Sequence, residues 1–222
     1  MIAVAIDGPS GAGKSTIART VAEELGYLYI DTGALYRSIG LYVLRKGKDT
    51  KNEAGVTGLL PEINLALRHE DGVQQVYLNG ENVSEEIRRP AVSMAASHVS
   101  AHPSVRQFLL DLQRKIAREN NVIMDGRDIG TVVLPDAEVK IYLTASAEER
   151  ARRRLLQLEE KGEKVTFEEV LRDIEQRDYN DMNRAVAPLR RAEDAVLADT
   201  SALDLEGSIR LIRDIILEHQ EG

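Results

Sequence analysis

Apolar residues along this chain fall into alternating strand-like and helix-like runs. Residues 2–6 are continuously apolar, with β-branched side chains at Ile2, Val4 and Ile6. Such a run predicts a strand buried on both faces, as in a parallel sheet. A glycine-rich turn comes after it. Ile17, Val21, Ala22 and Leu25 then recur at helical spacing and predict a helix over 15–25. A short strand at 28–30 and a helix over 34–44 come next, closed by Lys46-Gly47-Lys48. Beyond it, Ile63, Leu65 and Leu67 alternate with polar or small residues. Asp71-Gly72 and Asn79-Gly80 supply turns on either side of 73–78, which predicts a small antiparallel insert. Helices are expected over 90–100 and 104–120, buried strands over 122–124 and 139–143, and a last strand over 195–198. Ser146 with Glu149 and Thr166 with Glu169 have capping-box spacing. Between them the charged break at 159–164 suggests a mobile lid tip. Leu205, Ile209, Ile212 and Ile216 predict one apolar face on a C-terminal helix. Strands alternating with helices argue for a parallel α/β sheet.

Composition narrows the classes. At roughly 150 residues per domain, 222 residues favour one domain, with or without an inserted lobe. Seven Tyr, two Phe and no Trp argue against an aromatic platform for single-stranded nucleic acid. A net charge of −8 argues against generic duplex binding. There is no cysteine, which excludes disulfides, thiolate metal sites and a Cys nucleophile. The first apolar run is too short for a signal peptide and lacks a basic leader. No stretch approaches the ~20 apolar residues of a membrane helix. A soluble, cytoplasmic protein is expected.

Gly8-Pro9-Ser10-Gly11-Ala12-Gly13-Lys14-Ser15 matches G-x-x-x-x-G-K-[ST] in full. Glycines let backbone N–H groups converge on phosphate oxygens, and the helix after the loop points its positive end at the same anion. Lys14 can reach the β- and γ-phosphates, and Ser15 can ligate Mg²⁺. The motif predicts nucleoside triphosphate binding and leaves open the use made of the nucleotide.

Three further segments bear on the acceptor. In Asp31-Thr32-Gly33-Ala34-Leu35-Tyr36-Arg37, Thr32 can hydrogen-bond an acceptor, and the planar fork of Arg37 suits a phosphate. A lone Arg is more often simply solvated. In Val122-Ile123-Met124-Asp125-Gly126-Arg127-Asp128, a buried strand ends in a carboxylate at the sheet's carboxyl edge, where open α/β sheets bind ligands. Asp125 can orient a Mg²⁺-bound water, Arg127 can hold a phosphate, and Asp128 can accept from an exocyclic amine. Finally, Arg150, Arg153 and Arg154 share helical spacing, and Arg177, Asp181 and Arg184 fall on one helical face. Taken singly these are salt-bridge stripes. Beside a phosphate loop they fit an arginine-rich lid, giving an acidic protein local positive charge for polyanions.

The segments IDGPSGAGKST, DTGALYR, MDGRDIGTVVLPDA and QRDYNDMNRAVAPL, in this order, resemble the bacterial cytidylate kinase (CMP kinase) family of P-loop nucleoside monophosphate kinases. The likeness runs from about residue 2 to 200. It implies a single three-layer P-loop kinase domain with a central parallel sheet. The core would span about 1–34, 119–150 and 166–222. A nucleotide-monophosphate lobe would span about 35–118, with the antiparallel insert at 63–83, and an Arg-rich lid about 151–165. The resemblance implies that Gly8, Pro9, Ser10, Gly11, Ala12, Gly13, Lys14, Ser15 and Thr16 bind ATP. Arg37, Arg127 and Arg177 would hold the acceptor phosphate. Ser97, Arg106 and Asp128 would read cytosine, and Asp181 with Arg177 would contact the sugar. Thr32 and Arg184 complete the CMP set. Arg150, Arg153 and Arg154 would close over ATP.

The expected reaction is ATP + CMP (or dCMP) giving ADP and CDP (or dCDP), with Mg²⁺. The acceptor phosphate, with a second pKa near ~6, is largely ionised at neutral pH, so no general base is needed. Alternatives are a UMP, adenylate or shikimate kinase on the same scaffold, a nucleotide switch, or a non-catalytic ATP-binding module. Guanine recognition usually needs an N/T-K-x-D motif, which is absent. His98 and His102 stand four apart, but satisfied or surface histidines fit them better than a metal pair. A monomer is expected, with no nucleic acid polymer or membrane as partner.

Overall fold

In a computed structural model, residues 1–70, 73–160 and 162–219 are described. The chain begins with β1 (Ala3–Asp7), α1 (Lys14–Leu25), β2 (Leu28–Asp31) and α2 (Thr32–Arg45). A short α3 (Glu53–Thr57) and a 3₁₀ turn lead into β3 (Leu65–Glu70), β4 (Val73–Leu78) and β5 (Glu81–Asn82). Then come α4 (Pro90–Val99), α5 (Pro103–Glu119), β6 (Val122–Gly126) and one π-helical turn over Ile129–Val133. The chain continues through β7 (Val139–Thr144), α6 (Ala147–Glu160), α7 (Phe167–Asn183), β8 (Val196–Asp199) and α8 (Leu205–Glu218).

Five strands form one parallel sheet in the order β2-β6-β1-β7-β8, and β3, β4 and β5 form a separate antiparallel sheet. β1 lies at the centre, as its unbroken apolar run demands. Its side chains divide by the two-residue period of a strand. Val4 and Ile6 pack with α1 and α8, while Ala3 and Ala5 pack with α5 and the π turn. Helices therefore cover both sheet faces, which makes the three layers. A separate apolar cluster joins α2, α4 and the antiparallel sheet. A fourth and smaller one joins α6 to α7 through Ala151, Leu158, Val170 and Ile174.

The expected elements are all present, with local differences. α2 starts directly at the end of β2, because Asp31 caps it by accepting Ala34 N–H at 3.0 Å. The last strand is shifted by one residue, and α3 gave no periodic signal. The Asp71-Gly72 turn lies outside the described residues. Leu205 does not belong to the buried face of α8: it is 54% exposed, and Ser208, Ile212, Ile215 and Ile216 face the core instead. Thr166 and Glu169 form a complete capping box, whereas at Ser146 the hydroxyl accepts Glu149 N–H at 3.2 Å while the Glu149 carboxylate holds Arg153.

Candidate active site

The loop after β1 takes its shape from glycine. Gly11 and Gly13 have φ of 76° and 85°, a region costly for other residues, and a Cβ at Gly8 would run into the Leu143 carbonyl oxygen. Gly13 leads into α1 with no side-chain cap, so the first-turn N–H groups of the helix are left to an anion. Lys14 is buried, with Nζ donating to Pro9 O at 2.7 Å. Burial, then the neighbouring Arg127 charge, pulls its pKa down to about 7, against the pull of Asp125, Asp181 and Asp7.

At the end of β6, Asp125 accepts from Ser15 Oγ at 2.8 Å and from Tyr29 OH at 3.2 Å. Burial and then the Asp31 charge push its pKa up to about 6, with Lys14 opposing. Thr32 Oγ1 donates to the Asp125 carbonyl at 2.8 Å and so ties the carboxyl ends of β2 and β6 together. Asp7 ends β1 and accepts Ile129 N at 2.7 Å and Gly130 N at 2.8 Å, holding the π turn that comes after the Gly126-Arg127-Asp128 segment. Burial pushes its pKa up to about 6 despite both bonds.

The opposite wall consists of arginine–carboxylate sets. Arg37 pairs with Asp31 at 2.6 Å. Arg106 and Arg184 flank Asp128: Arg106 in a close ion pair, Arg184 at 3.4 Å. Arg106 also donates to Ser100 O at 3.2 Å and lies over the Tyr36 ring at 5.5 Å. Burial pushes the Tyr36 hydroxyl up to about 12 despite Arg106. Arg127 donates to Asp181 at 2.8 Å. Burial raises Asp181, but Arg127 outweighs it and holds the carboxyl below its ordinary range. Arg177 has no ion-pair partner among the described residues, and burial beside Arg127 lowers its pKa.

One cavity of about 380 Å³ joins the phosphate loop to this wall. Ser10 to Thr16, Thr32, Arg37, Ser97, Arg106, Asp125, Arg127, Asp128, Arg153, Arg154, Arg177, Asp181 and Arg184 all line it, as do Asp31 and Tyr36. Gly8 and Pro9 shape the loop without lining the cavity.

Arg150 departs from its expected place over the nucleotide. It is buried at 5% exposure, donating from Nε to Ala145 O at 2.9 Å, from one terminal nitrogen to Ser10 O at 2.8 Å, and from the other to Asp178 at 2.6 Å. The start of α6 points it under the loop, so it fastens the loop to α7. Arg153 and Arg154, three and four residues on, do face the cavity. His98 and His102 are satisfied by the Thr50 hydroxyl (2.8 Å) and the Thr50 carbonyl (2.9 Å). Among the described residues, no group of three His, Asp or Glu side chains is placed to hold a metal.

Sequence reasoning missed the parts played by Asp7, Tyr29, Tyr36 and Asp178. A carboxylate closing a fully apolar strand was the available signal for Asp7. The other three had none.

The sequence profile described as cytidylate kinase matches residues 4–218. A cytidylate kinase from Caldicellulosiruptor saccharolyticus is 50% identical over 214 residues, 96% of this chain and 95% of that protein. One from Geobacter sulfurreducens is 48% identical over 219 residues, 99% of this chain and 94% of that protein. Among solved structures, a gluconokinase from Sinorhizobium meliloti 1021 is similar in fold. Its TM-score is 0.50 at 14% identity, covering 99% of this chain and 94% of that one.

Proposed function

The chain belongs to the cytidylate kinase family, and from that premise we propose that it transfers the γ-phosphoryl group of ATP to CMP or dCMP, giving ADP and CDP or dCDP. The observation that carries this reading is a continuous cavity with an amide-rich loop at one end and Asp128, clasped by Arg106 and Arg184, at the other.

The loop amides and Lys14 hold the donor phosphates, and the lid residues Arg153 and Arg154 cover them. Arg37, Arg127 and Arg177 hold the acceptor phosphate, which arrives ionised and attacks without a general base. Catalysis is then the alignment of two anions, with charge supplied where it develops. The carboxylate of Asp128 accepts from the cytosine amine and Arg106 donates to the ring acceptors, with Ser97 beside them. Uracil would turn a carbonyl toward Asp128 and leave acceptors facing each other, which a buried site rejects strongly. Asp181, held by Arg127, meets the sugar. Thr32 keeps the two strand ends in register beneath the ligand.

The oxygen donors Ser15 and Asp125, 2.8 Å apart, suit a hard cation. Ser15 would hold Mg²⁺ and Asp125 a water on it. When bound, Mg²⁺ neutralises charge on the donor phosphates.

The same reading divides the chain into a core, an acceptor lobe over about 35–118 and a lid over about 151–165. The separate apolar cluster of α2, α4 and the antiparallel sheet supports the acceptor lobe, and the cluster of α6 and α7 is the contact by which the lid rests on the core. The same reading takes the protein as a cytoplasmic monomer; among the described residues, no helix is long and apolar enough to cross a membrane.

The test is ADP release from ATP and Mg²⁺ with CMP, dCMP, UMP, AMP, GMP, shikimate or no acceptor. Turnover with CMP and dCMP alone is expected. Turnover with another acceptor overturns the base reading. Release without an acceptor, or no release at all, overturns phosphotransfer.

A further inference from the structure

β2 is an edge strand of the large sheet. Leu28 N donates to Asn121 O, toward β6, so the two-residue alternation of a strand turns Asp31 N away from β6. That outward N–H is met by the other sheet: Gln74 Oε1, on β4, accepts it at 3.0 Å. Among the described residues no strand pairing joins the two sheets, so this contact is a side chain reaching across to a backbone edge. It crosses the margin of a cavity of about 120 Å³ lined by Ser15, Asp31, Arg37 and Gln74 among others.

Asp31 is thereby fixed at three points. Its amide is held by Gln74, one carboxylate oxygen accepts Ala34 N at 3.0 Å, and the other holds Arg37 at 2.6 Å. Arg37 depends on that last bond. Its Nε is buried with no hydrogen-bond partner, and Asp31 is its one ion-pair partner among the described residues. A shift of the Asp31 backbone is therefore passed to the guanidinium with little to resist it.

We infer that Gln74 is a positioning residue for the acceptor phosphate, acting through Asp31 to set where the Arg37 guanidinium stands in the cleft. This rests on the reading of Arg37 as a phosphate ligand. The antiparallel insert then serves the site from outside it: among the described residues it supplies no group to the main cavity, yet it anchors one that does.

The experiment is steady-state kinetics on the full chain, varying CMP and ATP separately, for Gln74→Met, Arg37→Met and the double variant. Methionine keeps the length and the apolar stem of Gln74 and removes the acceptor. Loss of one hydrogen bond predicts a CMP KM raised roughly three- to tenfold, with kcat within about twofold and the ATP KM unchanged. Gln74→Ala is expected to show the same split. In the Arg37→Met background, Gln74→Met should add less than about twofold, because its route to the phosphate is gone. If Arg37→Met raises the CMP KM and Gln74→Met does not, the inference fails and the role of Arg37 stands. Full additivity in the double variant also overturns it, since Gln74 would then act through the packing of the insert. An unchanged CMP KM in Arg37→Met removes the reading of Arg37, and the inference with it.

Discussion

The phosphate loop presents its anion-binding groups from one run of eight residues, Gly8 to Ser15. The acceptor wall instead gathers Arg37 from α2, Arg106 from α5, Arg127 and Asp128 from the turn after β6, and Arg177, Asp181 and Arg184 from the end of α7. The electrostatics differ as much as the construction. The loop relies on backbone amides, which carry no net charge and need no counter-ion, plus one buried lysine. The wall relies on guanidiniums, and almost every one is already paired with a carboxylate. Five arginines there face Asp31, Asp128 and Asp181, which leaves two positive charges unbalanced. That surplus matches a phosphate monoester dianion. Backbone amides can cradle any polyphosphate, whereas a wall of matched pairs accepts a ligand only if its charges and hydrogen bonds fit the remainder.

Lys14→Met should break the donor half most severely. We expect kcat to fall on the order of 10³-fold, because charge on the transferring group loses its one loop cation. CMP affinity, read by equilibrium titration, should hardly move. A comparable loss of CMP affinity would mean the halves are not separable.

Asp128→Ala is the counterpart on the acceptor side. It removes the cytosine acceptor and leaves Arg106 and Arg184 buried without their carboxylate, each keeping only backbone carbonyls as hydrogen-bond acceptors. The CMP KM should rise on the order of 10²-fold while the ATP KM stays within about twofold. Unchanged CMP kinetics would sink the base-reading role.

Asp7 lies beneath both halves, and its effect is on stability. Its folded pKa of about 6 exceeds the ordinary 3.8. Between those values the folded state holds a proton that the unfolded state has released, so stability falls as pH rises from about 4 to about 6. Denaturant melts should show wild type losing about 3 kcal/mol relative to Asp7→Asn across that window, with no further relative change above it. A flat difference would show that Asp7 titrates normally.

Thr166→Ala should do least. It removes the capping box of α7, at about 1 kcal/mol, and lowers the melting temperature by a few degrees. Because Thr166 does not line the main cavity, both KM values should hold. A shift in one of them would assign the lid to that half.

The same contrast governs what could be read before the fold was known. The loop was legible because its groups are contiguous, and the strand before it and the helix after it confirm the context. Arg37, Arg127 and Asp128 were legible because each comes after a strand at the carboxyl edge of the sheet. Ser97 and Arg106 rested on resemblance alone, since no local pattern marks a helix position that faces a cleft. Arg150 was misplaced because three arginines at helical spacing look alike in sequence, while only the fold decides that the first lies under the loop. Tyr29 and Asp178 act through partners 96 and 28 residues away, at Asp125 and Arg150, and such pairs leave no local trace. Leu205 obeyed the apolar period, but it lies at the first turn of α8, beyond the surface that the sheet covers.

The strand order has a consequence for synthesis. β1 is made first among the strands, yet both its neighbours, β6 and β7, begin more than 115 residues later. At roughly 5–20 residues per second, Ala3 to Ile6 must wait on the order of ten seconds for a partner strand. Through that interval the most apolar segment of the sheet leaves the ribosome with both edges open, and the phosphate loop attached to it has no floor. α1, α2 and the insert can form in the meantime, since their contacts are local. The growing chain would therefore carry a finished acceptor lobe before it possesses any place for ATP, and a ribosome stalled before β6 would display an adhesive strand for chaperones to cover.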